Sequence, residues 1–213
     1  MVLFTLRMAG MITALKAQAH NKERVSVYLD GEFAFGLALI HALWLKVGQF
    51  LSDEEIAQLQ SADTLEQAAD RAVNFVAYRS RSVAEVRRRL KQANVHADTI
   101  EQVIERLVNA GLLDDSSFSK AWTESRLRSN PRSKRMIAWE LRQKGVDPKT
   151  VSKTLAEVSD ETSALDAALK RMPRLAGLPT HEQKRKLITY LAGKGFDFET
   201  AEEAADKALL GSS

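Results

Sequence analysis

Four histidines stand at His20, His41, His96 and His181, and no two share the i, i+4 spacing that puts a pair of imidazoles on one helix face for a metal. Cysteine is absent, which removes thiolate ligands, thiol nucleophiles and disulfides and fits a reducing compartment. The carboxylates of Asp114 and Asp115 could hold a cation as a pair. The same dipeptide just ahead of a helical pattern containing Phe118 and Trp122 reads more simply as a helix N-terminus, where a carboxylate accepts free amides. Gly193-Lys194-Gly195 is too short to cradle a phosphate and falls at a helix end. No convergent acid cluster can be built, so the sequence points to a protein that is not an enzyme and carries no cofactor or metal.

The stronger chemical signal is cationic. Net charge is only +3, yet three windows, 79–91, 126–144 and 181–194, hold 17 of the 31 Lys and Arg residues and three acids, Glu85, Glu140 and Glu182. Charge so segregated points to an anionic partner, nucleic acid before others. The candidate contacts are Arg79, Arg81, Arg87, Arg88, Arg89 and Lys91, then Arg132, Lys134, Arg135, Arg142 and Lys144, then Lys184, Arg185 and Lys186. A solvated face is the plainer reading of any one run. It weakens here because the Glu–Lys pairing that usually solubilises a helix is missing from all three. Trp122 and Trp139 could stack on bases, although tryptophan at helical spacing is more often core. Trp139 aligns with Arg88 and Thr189 in the repeat described next, which marks an exposed position and makes Trp139 a candidate contact.

The elements that must position these residues are mostly helical. Val86–Thr99, Ile137–Thr150 and Leu187–Thr200 align without gaps. Val86, Ile137 and Leu187 take one core position; Leu90, Leu141 and Leu191 take the next. Asn94, Gly145 and Gly195 fall just past the helix end, where the left-handed conformation is needed. Asp147 and Asp197 suit the N-cap of the following helix; in the first copy His96 or Asp98 takes that place. Each copy reads as three helices: 65–79, 82–93 and 97–110; 115–128, 133–144 and 148–158; 161–171, 181–192 and 198–209. Ile100, Val103, Ile104, Leu107 and Val108 form a buried stripe, and the Ala-rich face of the last helix should pack closely but weakly.

Ahead of the repeats the pattern is β. Val25 to Leu29 alternates, Asp30-Gly31 suits a type I′ turn, and Glu32 to Gly36 returns; Ile12 to Ala19 is a candidate third strand. A short helix over 38–45, a turn at Val47-Gly48 and a capping box at Ser52–Glu55 follow. No stretch is long and apolar enough to span a membrane. The expected organisation is a disordered leader or mis-start at 1–11, a β-hairpin and short-helix module at 12–62, and three-helix repeats at 63–113, 114–159 and 160–213. The fold class is mainly α, three tandem three-helix repeats in an elongated curved array.

SVAEVRRRLKQANV (82–95), IEQVIERLVNAGLLDDSSFSKAW (100–122) and RSKRMIAWELRQKGV (132–146) resemble the RecX regulatory proteins. VSVYLDGEFAFGL (25–37) with LSDEEIAQL (51–59) resembles the N-terminal extension of the longer members, so the resemblance covers residues 12–209. It implies a cytoplasmic negative regulator of the RecA recombinase, acting in DNA recombination, DNA repair and the SOS response. Such a regulator binds the RecA filament on single-stranded DNA along its groove, probes DNA by electrostatic contact, and opposes filament growth, ATP hydrolysis and strand exchange. The expected protein is monomeric and free of membranes. The alternative is a stand-alone DNA-binding protein of helix-turn-helix type, since three helices per unit also suit that role.

Overall fold

The computed structural model describes residues 9–19 and 21–211. Residues 1–8 of the expected leader and His20 lie outside the described residues. Two compact units form, one from the residues up to Tyr78 with Arg87–Ala110, the other from Arg79–Val86 with Gly111 onward.

In the first unit, β1 (Gly10–Gln18), β2 (Asn21–Leu29), β3 (Glu32–Ala38) and β4 (Phe50–Leu51) make an antiparallel sheet of order β3-β2-β1-β4. Asp30 and Gly31 both adopt positive φ, as the tight β2–β3 turn requires. Alternation along β2 sends Val25, Val27 and Leu29 inward to meet Ile12, Leu37 and Leu51. Gly10 and Met11, expected to lie in the leader, pair with Leu51 and Phe50, because β4 gives them a partner too short to show as a strand pattern.

The helix α1 is only Leu39–Ala42, and the expected capping box opens α2 (Asp53–Tyr78), with Ser52 and Glu55 bonding reciprocally. This helix is one continuous rod through Ala62 and Asp63, so the boundary expected there falls inside it. Asp63 anchors this stretch of the helix. Its buried carboxylate accepts from Arg24 (2.7 Å), Gln67 (2.7 Å) and the Ala38 amide (2.8 Å), tying the sheet to the helix. Burial works to raise the Asp63 pKa, but these donors outweigh it and hold the carboxyl below its usual value.

Eight further helices follow the expected pattern: α3 (Val83–Gln92) and α4 (Ala97–Asn109); α5 (Asp115–Ser129), α6 (Lys134–Gln143) and α7 (Pro148–Thr154); α8 (Asp160–Arg171), α9 (Thr180–Ala192) and α10 (Phe198–Leu210); a short 3-10 turn at Met172–Leu175, not expected, follows α8. Val86, Leu90, Ile137, Leu141, Leu187 and Leu191 are fully buried, each contributing about 1.5–3 kcal/mol. Val108 departs from the expected stripe and is 45% exposed, lying at the end of α4 beyond the last buried turn. The helix α7 stops four residues short of expectation, with Leu155 as its cap. His96 takes the N-cap position of α4 without a side-chain bond.

Candidate nucleic-acid interface

The second helix of each repeat ends in the same turn. The amides of Val95, Val146 and Phe196 return to the carbonyls of Leu90, Leu141 and Leu191, with Asn94, Gly145 and Gly195 at positive φ. Within the second unit these turns also make the joints between repeats. Ser82 Oγ donates to the Lys144 carbonyl (2.6 Å), and one repeat later the Ser133 amide donates to the Lys194 carbonyl (3.2 Å). A Cβ on Gly145 would lie 2.3 Å from Ala84 Cβ, and one on Gly195 2.6 Å from Ser133 Oγ. Glycine at 145 and 195 therefore serves both the backbone and the close approach. Asn94 is exposed at φ 57, and Asn tolerates this conformation.

Asp114 and Asp115 divide the work of a joint. Asp114 caps its own helix through the amides of Ser116 (2.9 Å) and Ser117 (3.0 Å). Asp115 accepts from the Val83 amide (2.9 Å) at the start of α3, and Asp160 likewise accepts from the Lys134 amide (2.6 Å) at the start of α6. Asp114 sits below its ordinary pKa, first through its hydrogen bond with Ser117 and then through the backbone amides. The carboxylate pair is thus a helix-capping device, and no group of three or more metal-type side chains comes together among the described residues.

The sequence-derived cations divide into two sets. The engaged set is led by two acids. Glu85 binds Lys144 (2.8 Å) and Arg79 (3.3 Å). Burial works upward on its pKa but the Lys144 bond, the Ser82 amide and both charges bring it down. Glu140 is buried and accepts from Arg126 (2.6 Å), Arg132 and the Trp122 indole (2.8 Å). The Trp122 ring lies under Arg126 at 4.3 Å and Lys144 at 5.0 Å, so Trp122 belongs to the repeat's interior. Arg87 forms a bidentate pair with Glu101, both contacts 2.8 Å. Lys184 bridges Asp206 (2.8 Å) and Glu202 (3.1 Å), which raise its pKa. Arg81 is half-buried and engaged within the fold. Arg135 reaches the Gly195 carbonyl at 3.3 Å while staying exposed. Arg89 lies over the Phe75 ring at 5.9 Å. Lys134 is half-buried.

The available set is Arg88, Lys91, Arg142, Arg185 and Lys186, all exposed, none with an ion-pair or hydrogen-bond partner for its side chain among the described residues. In α6 the exposed ridge reads Arg135, Trp139, Arg142, at i, i+4 and i+7. Trp139 is 56% exposed and, with Arg135 and Met136, borders a shallow hollow of about 440 Å³. Lys194, set aside in the sequence as part of a helix end, is held within the fold. Its ammonium lies 5.1 Å from the Tyr190 ring and bonds Asn130, and burial first, then Arg132 and Arg171, push its pKa down.

Among described residues no helix is long and apolar enough to cross a membrane. Four family models match in order along the chain: the RecX N-terminal domain at 10–52 and the first, second and third RecX three-helix domains at 68–107, 114–155 and 159–205. The regulatory protein RecX of Bacillus subtilis (strain 168) is 31% identical over 201 residues, covering 92% of this chain and 76% of that protein. The regulatory protein RecX of Prosthecochloris aestuarii (strain DSM 271 / SK 413) is 38% identical over 151 residues, covering 71% of this chain and 99% of that one. A crystal structure of a regulatory protein RecX matches with a TM-score of 0.71 at 25% identity, covering 92% of this chain and 99% of that one. The order of the four domains and the level of identity together place this chain in the RecX family of regulatory proteins.

Proposed function

We propose that this protein is a cytoplasmic, non-enzymatic negative regulator of the RecA recombinase, binding the RecA–DNA filament groove as a monomer and opposing filament growth, ATP hydrolysis and strand exchange. Membership of the family carries the reading, and the available cations give it a mechanism. Arg88, Lys91, Arg142, Arg185 and Lys186 have no internal acid to neutralise them, so phosphate or an acidic surface is their natural counter-charge. Contact through exposed side chains is screened over about 8–10 Å. Binding therefore weakens with salt, by a slope of roughly −0.7 in log K per single-strand phosphate neutralised.

The helix-turn-helix alternative asks the candidate recognition helices to carry matching base-reading side chains, and the aligned exposed positions of α3, α6 and α9 hold Arg88, Trp139 and Thr189, which differ from repeat to repeat.

The test is RecA ATPase on single-stranded DNA with and without this protein. Inhibition is expected, and charge reversal at Arg88, Arg142 and Arg185 should weaken it while leaving the fold intact. Arg135 is kept because it holds the Gly195 carbonyl. ATPase rates unaffected by the wild-type protein would end this reading.

A further inference from the structure

Repeats 1 and 2 run in gapless register through their first two helices: α2 ends at Tyr78 and α5 at Ser129, with α3 and α6 following at the same spacing. This register pairs Arg71 with Trp122, Phe75 with Arg126, and Arg89 with Glu140. In repeat 2 the corner between the two helices is filled by the Trp122 indole, and Glu140 supplies a carboxylate to both Arg126 and Arg132. In repeat 1 neither the indole nor the carboxylate is present. The corner is instead an open hollow of about 460 Å³, lined by Arg71, Asn74 and Phe75 from α2 and by Arg89, Leu90 and Gln92 from α3.

Two guanidinium groups border this space, and neither has an ion-pair partner among the described residues. Like charges around one cavity repel unless an anion joins them, and the planar guanidinium fork matches a phosphate with two parallel bonds. Phe75 borders the hollow with a half-buried aromatic ring that already meets the Arg89 guanidinium at 5.9 Å and is engaged within the fold. Asn74 and Gln92 each carry both a donor and an acceptor, so they can meet the polar edge of any base without a strong preference. The volume lies within the roughly 300–1,000 Å³ span of small-ligand sites.

We propose that this hollow takes one nucleotide of single-stranded DNA, with the phosphate between Arg71 and Arg89 and the base against Phe75, its edge met by Asn74 and Gln92. An acidic polypeptide would satisfy the arginines but has no use for an aromatic floor flanked by amides, which suits a base. The assignment rests on the reading that this protein approaches the DNA of a recombinase filament. It adds a place in repeat 1 where a base is held individually, distinct from the exposed ridge of α6.

The experiment uses the full chain without RecA. Binding of a fluorescein-labelled oligothymidylate is followed by anisotropy across salt, and an oligonucleotide carrying 5-iododeoxyuridine is photo-crosslinked and mapped by mass spectrometry. The expected crosslink is at Phe75. The R71Q/R89Q variant should bind at least tenfold more weakly and show a salt slope shallower by about 0.7. The R71K/R89K variant keeps the charge but loses the fork; it should retain the slope and recover part of the affinity, which separates a binding defect from misfolding. Wild-type affinity in R71Q/R89Q, or crosslinks that avoid α2 and α3, would overturn the site. Displacement of the oligonucleotide by equimolar dTMP would replace the strand with a free nucleotide and overturn the DNA assignment. Selective loss of polyglutamate binding in R71Q/R89Q would reassign the hollow to an acidic polypeptide. RecA ATPase on the same wild-type sample separates the two readings: inhibition with normal DNA binding by R71Q/R89Q sinks the hollow alone, and absent inhibition sinks the regulator.

Discussion

Repeats 1 and 2 place opposite contents on the same pair of helices. At one position repeat 2 has Glu140, which gathers Arg126, Arg132 and the Trp122 indole into a closed corner, and repeat 1 has Arg89, which leaves the equivalent corner open beside Arg71. A single reversal of charge decides whether the surrounding arginines serve the fold or face outward. The helical frame barely notices, because the neighbouring Leu90 and Leu141 are fully buried in both. Removing the acid should therefore expose the contrast most sharply. Glu140→Ala leaves Arg126 and Arg132 without their carboxylate and should cost about 3–5 kcal/mol. Arg89→Ala removes no buried pair and should cost less than about 1 kcal/mol. Reversible urea denaturation of both variants measures this, and equal losses would break the comparison.

A second contrast sets the turn of repeat 1 against that of repeat 2. Asn94 and Gly145 occupy the same left-handed position, but only Gly145 meets another helix start, where an added Cβ would stand 2.3 Å from Ala84 Cβ. Gly145→Asn keeps a φ that Asn tolerates but overpacks the joint, and should destabilise by about 1–3 kcal/mol. Asn94→Gly should stay within about 0.5 kcal/mol. Thermal melting of the two variants gives the ordering. A harmless Gly145→Asn would show that the joint yields without cost.

The same turns explain what was legible in the sequence. Val86, Leu90 and Asn94, with their counterparts fifty or so residues on, announce a helix face and its stop by local chemistry alone, and the second helices of the repeats end where that chemistry says. The N-terminal boundary was not legible, because Asp63 reads as one more acid on an exposed helix until Arg24 and the Ala38 amide are brought against it from far away in sequence. The cation sites were half legible. Charge runs reveal where arginines gather, but only geometry separates Arg132, bonded to Glu140, from Arg142, which has no such partner. The hollow beside Phe75 was missed because its signal is a substitution between repeats, Trp122 to Arg71, and no motif marks it.

Asp63 also sharpens the contrast between buried and exposed carboxylates. Its folded pKa is lowered, against the upward push of burial, by Arg24, Gln67 and the Ala38 amide. The stabilisation it gives is present above the ordinary value of 3.8 and is lost as pH falls through the lowered folded value. Asp63→Asn should cost about 1–3 kcal/mol at neutral pH and flatten the decline in stability below pH about 4. Asp147, an exposed cap on the amides of Lys149 and Thr150, should tolerate Asn with little change, because Asn caps as well as Asp. Denaturation midpoints between pH 3 and pH 7 check both. An unchanged acid limb in Asp63→Asn would remove Asp63 from the account.

The smallest stability effects fall on neighbours in α3, and there function should reverse the ranking. Arg87 is tied to Glu101 by two bonds of 2.8 Å across an exposed surface, and such a pair is worth about 0.2–1 kcal/mol. Arg88, one residue on, has no partner to lose and should leave the melting temperature where it is. In binding, however, Arg87 must first give up Glu101 to reach a phosphate, whereas Arg88 needs only to lose water. Arg88→Ala should therefore weaken RecA–DNA filament binding more than Arg87→Ala does, although it disturbs the fold less. Affinities of the two single variants at two salt concentrations decide the point. If Arg87→Ala proves the more damaging to binding, an internal ion pair is no guide to which cations of this surface are available, and the division into engaged and available sets loses its meaning.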